Sequence, residues 1–157
     1  MNKMMEEVFP MIEGTHGMRA GLLDVLTDAD LSFTPGGQAL PLGALLREFG
    51  EIEYAYVASF KTLKQDFSYR NPAPGLDTSV AQIRAWYHSL DHELRAVLGD
   101  MSDDDLKRTI DRGGFAPTVD VQLQIYLQAL LIFFGKATIY LRVMNRPLPQ
   151  SIQDWIG

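Results

Sequence analysis

Residues 125–142 read IYLQALLIFFGKATIYLR, and they decide the fold class. Between Ile125 and Phe134 the apolar side chains extend almost all the way round a helix, whereas a bundle helix normally keeps one polar face toward water. Such a helix must be covered on nearly every side. Either the tail at residues 148–156, with Trp155, or a second copy of the chain would cover it. We favour the second copy, so the sequence predicts a homodimer.

Three further segments have the apolar spacing of helices. Together with the segment just described, the predicted helices span residues 2–26, 42–63, 78–98 and 118–144. Proline and glycine interrupt the chain between them, at residues 34–37, 71–75 and 112–114. No strand-like alternation competes with these patterns. The sequence therefore predicts an all-α protein, a four-helix bundle that forms a single domain over residues 1–157.

Three details of these segments are open to a structural test. Pro10 lies inside the first segment, where it either kinks the helix or marks a later start. Gly14, Gly17 and Gly21 share one side of that segment, which suggests close approach of another helix, with a broken helix as the alternative. A Ser-Asp-Asp-Asp run at residues 102–105 resembles a helix cap and predicts a short extra helix over residues 103–110.

The composition limits the classes of partner. Hydrophobic residues make up 46% of the chain and there is no cysteine, which excludes a disulfide framework, a thiolate zinc site and a cysteine nucleophile. Fourteen basic residues among twenty acidic ones do not form the basic surface that nucleic acids require. The longest apolar stretch, residues 123–134, is shorter than the roughly 20 residues that span a bilayer. The N-terminus has no signal-peptide core. We therefore expect a cytoplasmic protein with neither nucleic-acid nor membrane partners.

Two passages carry a resemblance to a known family. Residues 20–53, AGLLDVLTDADLSFTPGGQALPLGALLREFGEIE, resemble the passage from the first to the second helix of the DinB/YfiT-like metalloenzymes. Residues 140–149, YLRVMNRPLP, resemble the closing pattern YLR-x-x-G-x-x-P of that family, with Asn145 in place of glycine. The resemblance implies a four-helix bundle whose last helix supplies an H-x-x-x-H pair of metal ligands and whose second helix supplies a third histidine.

The resemblance places these three ligands on residues that are not histidines. The pair falls on Ala129 and Phe133, and the third ligand falls on Glu48, or on Phe49 if the register slips by one. A divalent cation needs nitrogen, oxygen or sulfur donors, so the resemblance implies a family cleft with no metal and no cofactor. Glu48 is then either a residual acid or base, an anchor for a cationic ligand, or a rim carboxylate that is solvated or paired with Lys136 or Arg47.

The three histidines of the chain offer a second place for chemistry. His88 and His92 have the i, i+4 spacing that puts two imidazoles on one helical face. They fall outside the apolar stripe of their helix and no third ligand is placed by the sequence, so a solvated pair is predicted and a metal site is the alternative. His16 is expected in the core or the cleft with a local hydrogen bond, a catalytic role being the alternative. Glu51 is expected to be exposed and Glu53 to flank the apolar stripe.

Three functions follow from these patterns. The first is an uncharacterised DinB-like protein that binds a small apolar or thiol-bearing molecule in the former metal cleft, without a metal and without predicted catalysis. The second is a thiol-dependent transferase or isomerase with a non-standard metal site, in which the metal would activate a thiol or water. The third is a purely structural or regulatory dimer. A cavity lined by Glu48, Ala129 and Phe133 would favour the first, and a solid core there would favour the third.

Overall fold

The computed structural model describes residues 2–156, and this part of the chain is helical without a named strand. The helices are α1 (Lys3–Glu7), α2 (Phe9–Asp24), α3 (Leu42–Thr62), α4 (Val80–Gly99), α5 (Val119–Val143) and α6 (Gln150–Ile156). Short 3₁₀ turns lie at Asp28–Ser32, Leu76–Thr78 and Asp105–Lys107. The predicted all-α class is confirmed, and α3, α4 and α5 begin and end within two residues of their predicted bounds.

One apolar core joins the four long helices, α2 to α5. Its members recur at steps of three and four along each helix, as in Ile83, Tyr87, Leu90, Leu94 and Leu98 of α4. The short helices α1 and α6 lie at the two termini and contribute Met4, Met5 and Ile152 to the same core. The bundle therefore has the predicted long helices and two short ones that the periodicity did not separate.

The first predicted helix is divided in two. The side chain of Asn2 accepts a hydrogen bond from the amide of Met5 at 3.0 Å and caps α1, and it also donates to the carbonyl oxygen of Leu98 at 2.7 Å. Val8 ends α1, with its amide donating to the carbonyl oxygen of Met4 at 3.0 Å, and α2 begins at Phe9 with Pro10 in its first turn. Proline is well tolerated there because the first amides of a helix have no internal partner. The single helix over residues 2–26 was wrong, and a later start is correct.

The glycines of α2 do not mark a close helix contact as a group. A Cβ added at Gly14 or Gly17 would meet nothing within 4 Å, and only Gly21 faces a neighbour, Ser151 of the tail. The close approaches occur on α3 instead. A Cβ at Gly43 would collide with the carbonyl group of Asp77, and one at Gly50 would collide with the ring of Trp86. Glycine at these two positions lets α3 pack tightly against the 3₁₀ turn Leu76–Thr78 and against Trp86 of α4.

Two other predictions need correction. The extra helix over residues 103–110 is only a 3₁₀ turn, Asp105–Lys107, which Ser102 caps through its bond with Asp105 at 2.7 Å. The tail covers α5 only in part, because Ile152 is buried whereas Trp155 is 78% exposed. A row of apolar side chains on the outer side of α5 consequently remains in contact with solvent.

Helix α5 extends at both ends beyond the apolar stretch of residues 123–134. Its 25 residues are long and apolar enough, by length and composition, to cross a membrane. In the structure, however, Leu123, Tyr126 and Leu130 are fully buried against the other helices, and the buried amide of Gln122 donates to the hydroxyl of Ser59 at 3.0 Å. These contacts are those of a core helix and suggest a soluble protein.

Candidate functional site

A cavity of about 680 Å³ lies between α3 and α5. Glu48 of α3 and both Ala129 and Phe133 of α5 line it, so the structure brings the three candidate positions together. They meet because Ala129 and Phe133 are one helical turn apart and face the first half of α3. The space between the two helices is therefore not filled by a solid core.

Aromatic rings form the inner wall of this α3–α5 cavity. Phe49 and Phe133 stack with ring centroids 4.1 Å apart, and both are almost fully buried. Tyr56 lines the same wall about two turns after Phe49 on α3. The exposed Ile132 lies at the mouth. Packing fixes the rings of this wall, and only a small part of each ring's surface is open to a ligand in the cavity.

Glu51, expected at the surface, is buried at the side of the cavity. Its Oε1 accepts hydrogen bonds from Nε of Arg47 at 3.2 Å and from the amide of Asn71 at 2.9 Å, and Arg70 lies 3.7 Å from its Oε2. The carboxylate thus fastens the long loop after α3 to the helix itself. The prediction that Glu51 is exposed was wrong because two of its partners, Arg70 and Asn71, lie about twenty positions away in the sequence.

Two charged side chains at the mouth are free to meet a ligand. Glu48 and Lys136 are exposed on opposite helices, and neither forms an ion pair within residues 2–156. The suggested pairing of Glu48 with Arg47 is not formed, because Arg47 binds Glu51. Both side chains also line an adjoining cavity of about 430 Å³ beside Tyr140. Burial, and next the charge of Glu48, raises the pKa of the Tyr140 phenol.

A second cluster, the buried charge cluster, draws one residue or more from each long helix. His16 Nδ1 lies 2.8 Å from Oδ1 of Asp91, and His16 Nε2 lies 2.9 Å from the phenol oxygen of Tyr126. Arg19 donates to Oε2 of Glu53 and, at 2.5 Å, to Oδ1 of Asp91. Arg19 and Glu53 are almost completely withdrawn from solvent, whereas Asp91 is 31% exposed. The local hydrogen bond expected for His16 is confirmed.

The pKa values of the two carboxylates of this cluster are shifted in opposite directions. Burial raises the pKa of Glu53, and the nearby charges of Arg19 and His16 oppose that rise without cancelling it. Burial would also raise the pKa of Asp91, but the hydrogen bond from His16 and the charge of Arg19 outweigh it and lower the pKa to about 2. Oε1 of Glu53 has no hydrogen-bond partner among the described residues.

Arg19 already supplies the cation of this cluster. Donor atoms of His16, Glu53 and Asp91 lie within 4.8 Å of one another, a spacing that could hold a metal ion. The guanidinium group, however, touches both carboxylates and stands 4.1 Å over the ring centroid of Tyr87. A divalent ion at the same place would face a buried positive charge, so the geometry favours a structural ion-pair network there.

Comparison of the sequence with protein-family models gave no match, and comparison with curated proteins gave none either. Solved structures do match. A DinB-like protein from Bacillus cereus ATCC 10987 aligns with a TM-score of 0.72 and 20% identity, covering 90% of this chain and 93% of its own. The DinB-like protein YjoA of Bacillus subtilis aligns with a TM-score of 0.68 and 15% identity, covering 86% and 90%.

This chain has the DinB-like fold. The resemblance seen in the sequence is thereby confirmed for the fold, whereas identities this low carry no chemistry with them. The resemblance would place a metal ion at Glu48, Ala129 and Phe133. A methyl group and a phenyl ring have no donor atom, and one exposed carboxylate does not hold a divalent cation by itself. The residues at these three positions therefore do not fit the metal ion of DinB-like metalloenzymes.

Arg19 was not identified from the sequence of this DinB-like bundle, and Glu53 was placed beside the apolar stripe of α3 without its complete burial being predicted. Arg19 follows His16 by three residues and Ile12 by seven, so it occupies a core position of α2. Glu53 follows Phe49 by four residues and shares its buried side of α3. A cation and an anion at core positions of neighbouring helices are the signal that could have paired them, because buried charges are nearly always compensated.

Proposed function

We propose that this protein binds a small organic molecule in the α3–α5 cavity and does so without a metal ion. The observation that carries the proposal is the cavity itself, which lies at Glu48, Ala129 and Phe133 and is open to solvent. Ligand sites are typically concave, mostly apolar and equipped with a few polar groups that orient the ligand. The aromatic wall and the two free charges at the mouth match that description.

The chemistry of the lining indicates the class of ligand. An apolar or aromatic group would pack against the stacked rings of Phe49 and Phe133. A polar end would lie between Lys136 and Glu48, which can bind an anionic group and a cationic or hydrogen-donating group respectively. The proposed ligand is thus a small amphipathic molecule. A cytoplasmic location is proposed with it.

The cavity is tested by filling it. Anilinonaphthalene sulfonate, an apolar dye with one anionic group, is titrated into the protein and its fluorescence is recorded. We expect saturable binding to the wild type, and we expect Ala129→Trp to weaken it at least ~10-fold, equivalent to about 1.4 kcal/mol, because the indole occupies the ligand space. Lys136→Glu should weaken dye binding as well, since it replaces the cation at the mouth with an anion that repels the sulfonate.

The matched control is Gln124→Trp, which adds the same ring to the same helix. Gln124 is exposed and lines neither the α3–α5 cavity nor the apolar groove between α2, α5 and α6, so its substitution should leave dye binding unchanged. Dye binding that is lost in Gln124→Trp and retained in Ala129→Trp would contradict the proposal. Both variants must keep the thermal midpoint of unfolding close to that of the wild type.

A homodimer is proposed alongside the ligand site. Four large apolar side chains are more than half exposed along the outer side of α5: Leu131, Ile132, Ile139 and Val143. The apolar groove between α2, α5 and α6 adjoins them and has an empty space at Gly135, where a Cβ would meet nothing within 4 Å. Protruding side chains beside a groove on the same surface suit a two-fold interface, in which each copy fills the groove of the other.

Analytical ultracentrifugation at several protein concentrations tests the dimer. We expect the wild type to sediment as a dimer and Ile139→Glu to sediment as a monomer, because a buried carboxylate in an apolar interface is costly. Val121→Glu is the control, since Val121 is exposed near the other end of α5 and lies outside the groove. A wild type that remains monomeric at every concentration would refute the interface.

A further inference from the structure

The exposed side of α4 holds two histidines in the geometry of a metal-binding pair. His88 and His92 are one helical turn apart in the middle of α4, and both are exposed. Side chains at this spacing have Cβ atoms about 5–6 Å apart, which allows two imidazoles to reach one ion. The sequence by itself placed no third donor near them.

The structure adds a third donor from the facing helix. His88 and His92 line a cavity of about 280 Å³ together with Glu13 of α2. Glu13 binds Arg95 through Oε1 only, at 2.5 Å, and its Oε2 has no hydrogen bond within residues 2–156. A carboxylate oxygen and two imidazoles therefore border the same open space, contributed by two helices whose backbones are fixed by the core. Their donor atoms are not gathered within 4.8 Å of one another, as those of the histidine and the two carboxylates of the buried charge cluster are, so the three exposed side chains must turn toward a shared ion.

Three other groups of this cavity are already committed. Arg95 lines the cavity and binds Oε1 of Glu13, but unlike Arg19 it is about half exposed, so its ion pair is weak and the guanidinium can move aside for a metal ion. His16 is held by Asp91 and Tyr126, and Asp91 is held by His16 and Arg19. They close the inner end of the cavity and are not available as ligands without breaking the buried charge cluster. The open donors are consequently those at the outer end, His88, His92 and Glu13.

We propose that His88, His92 and Glu13 form a binding site for a divalent transition-metal ion, with zinc as the best match. Imidazole nitrogen with one carboxylate oxygen is a donor set that zinc accepts, and three protein ligands leave the fourth position of a tetrahedral ion to water. Copper and nickel ions also bind imidazole well, whereas magnesium and calcium prefer sites made of oxygen alone. The site is independent of the α3–α5 cavity and of the ligand proposed there.

Titration calorimetry with zinc chloride on tag-free, chelator-free protein tests the site. We expect one zinc ion per chain, and we expect His88→Ala and His92→Ala each to weaken binding at least ~10-fold, because loss of a ligand should cost no less than loss of a supporting group. Glu13→Gln should weaken it to a smaller extent. Ser89→Ala is the matched control, because it lies on the same helix, is exposed and does not line the cavity.

Nuclear magnetic resonance of the histidine rings gives a second readout. The chain has three histidines, so each ring can be assigned by its alanine or glutamine variant. Zinc should shift the ring signals of His88 and His92 and leave those of His16 in place. No saturable zinc binding, binding that both histidine variants retain, or a shift confined to His16 would each overturn the proposal.

Discussion

Replacing Arg19 with methionine is expected to lower the free energy of unfolding by about 3–5 kcal/mol, because it leaves buried carboxylates without their main partner. Among the described residues, the fully buried Glu53 has two basic neighbours. Arg19 binds it directly, and His16 lies 3.8 Å away. Without the guanidinium, Glu53 and Asp91 become two neighbouring carboxylates with too little compensation. Urea unfolding monitored by circular dichroism measures the loss.

A surface arginine provides the matched control for this substitution. Arg84 pairs with Asp24 at 2.7 Å, and both side chains are largely exposed. Exposed pairs contribute about 0.2–1 kcal/mol, so Arg84→Met should change the free energy of unfolding by no more than that. If Arg19→Met cost as little as Arg84→Met, the buried charge cluster would not be a stabilising centre.

A second substitution separates lost charge compensation from lost packing. In the Arg19→Met background, Glu53→Gln removes one of the uncompensated carboxylates and should recover part of the stability. In the wild-type background the same Glu53→Gln leaves Arg19 with Asp91 alone and should destabilise. Opposite signs in the two backgrounds are the signature of a coupled pair. Equal losses in both would show that packing volume, and not charge, sets the effect.

The fold was predictable where periodicity is local. The stripe of Ile83, Tyr87, Leu90 and Leu94 defined α4 because apolar residues at helical spacing need no knowledge of the partner helix. Pro10 marked the start of α2, whereas the short helix α1 was not predictable from that pattern, since its cap, Asn2, is held by a hydrogen bond to the carbonyl oxygen of Leu98 at the far end of α4. Tight packing at Gly50 also depends on a residue of another helix, Trp86.

The candidate site was predictable only in part for the same reason. The resemblance to DinB/YfiT-like proteins pointed to Glu48, Ala129 and Phe133, and the structure places all three on one cavity. Whether that cavity is the family's metal cleft with its ligands replaced stays a prediction. The burial of Glu51 and Glu53 could not be judged from α3 alone, because the amide of Asn71, which binds Glu51, and the guanidinium of Arg19, which binds Glu53, lie on other segments.

Restoring two histidines provides a direct test of that assignment. The double variant Ala129→His and Phe133→His is expected to bind zinc or nickel with one ion per chain, using Glu48 as the third ligand. The two positions are one helical turn apart and line one cavity with Glu48, so the donors can converge. The test is made in a His88→Ala and His92→Ala background, which removes the site proposed on α4.

The third ligand distinguishes a rebuilt site from a simple pair of histidines on a helix. Adding Glu48→Gln to the double variant should weaken metal binding at least ~10-fold, because the amide is a much poorer ligand than a carboxylate. Phe133→His also removes the ring stacked on Phe49, so circular dichroism must first show that the helices persist. A folded double variant that binds no metal would mean that Glu48, Ala129 and Phe133 are not the positions of the family's ligands. Metal binding that is indifferent to Glu48→Gln would leave Ala129 and Phe133 correctly assigned and would remove Glu48 from the set.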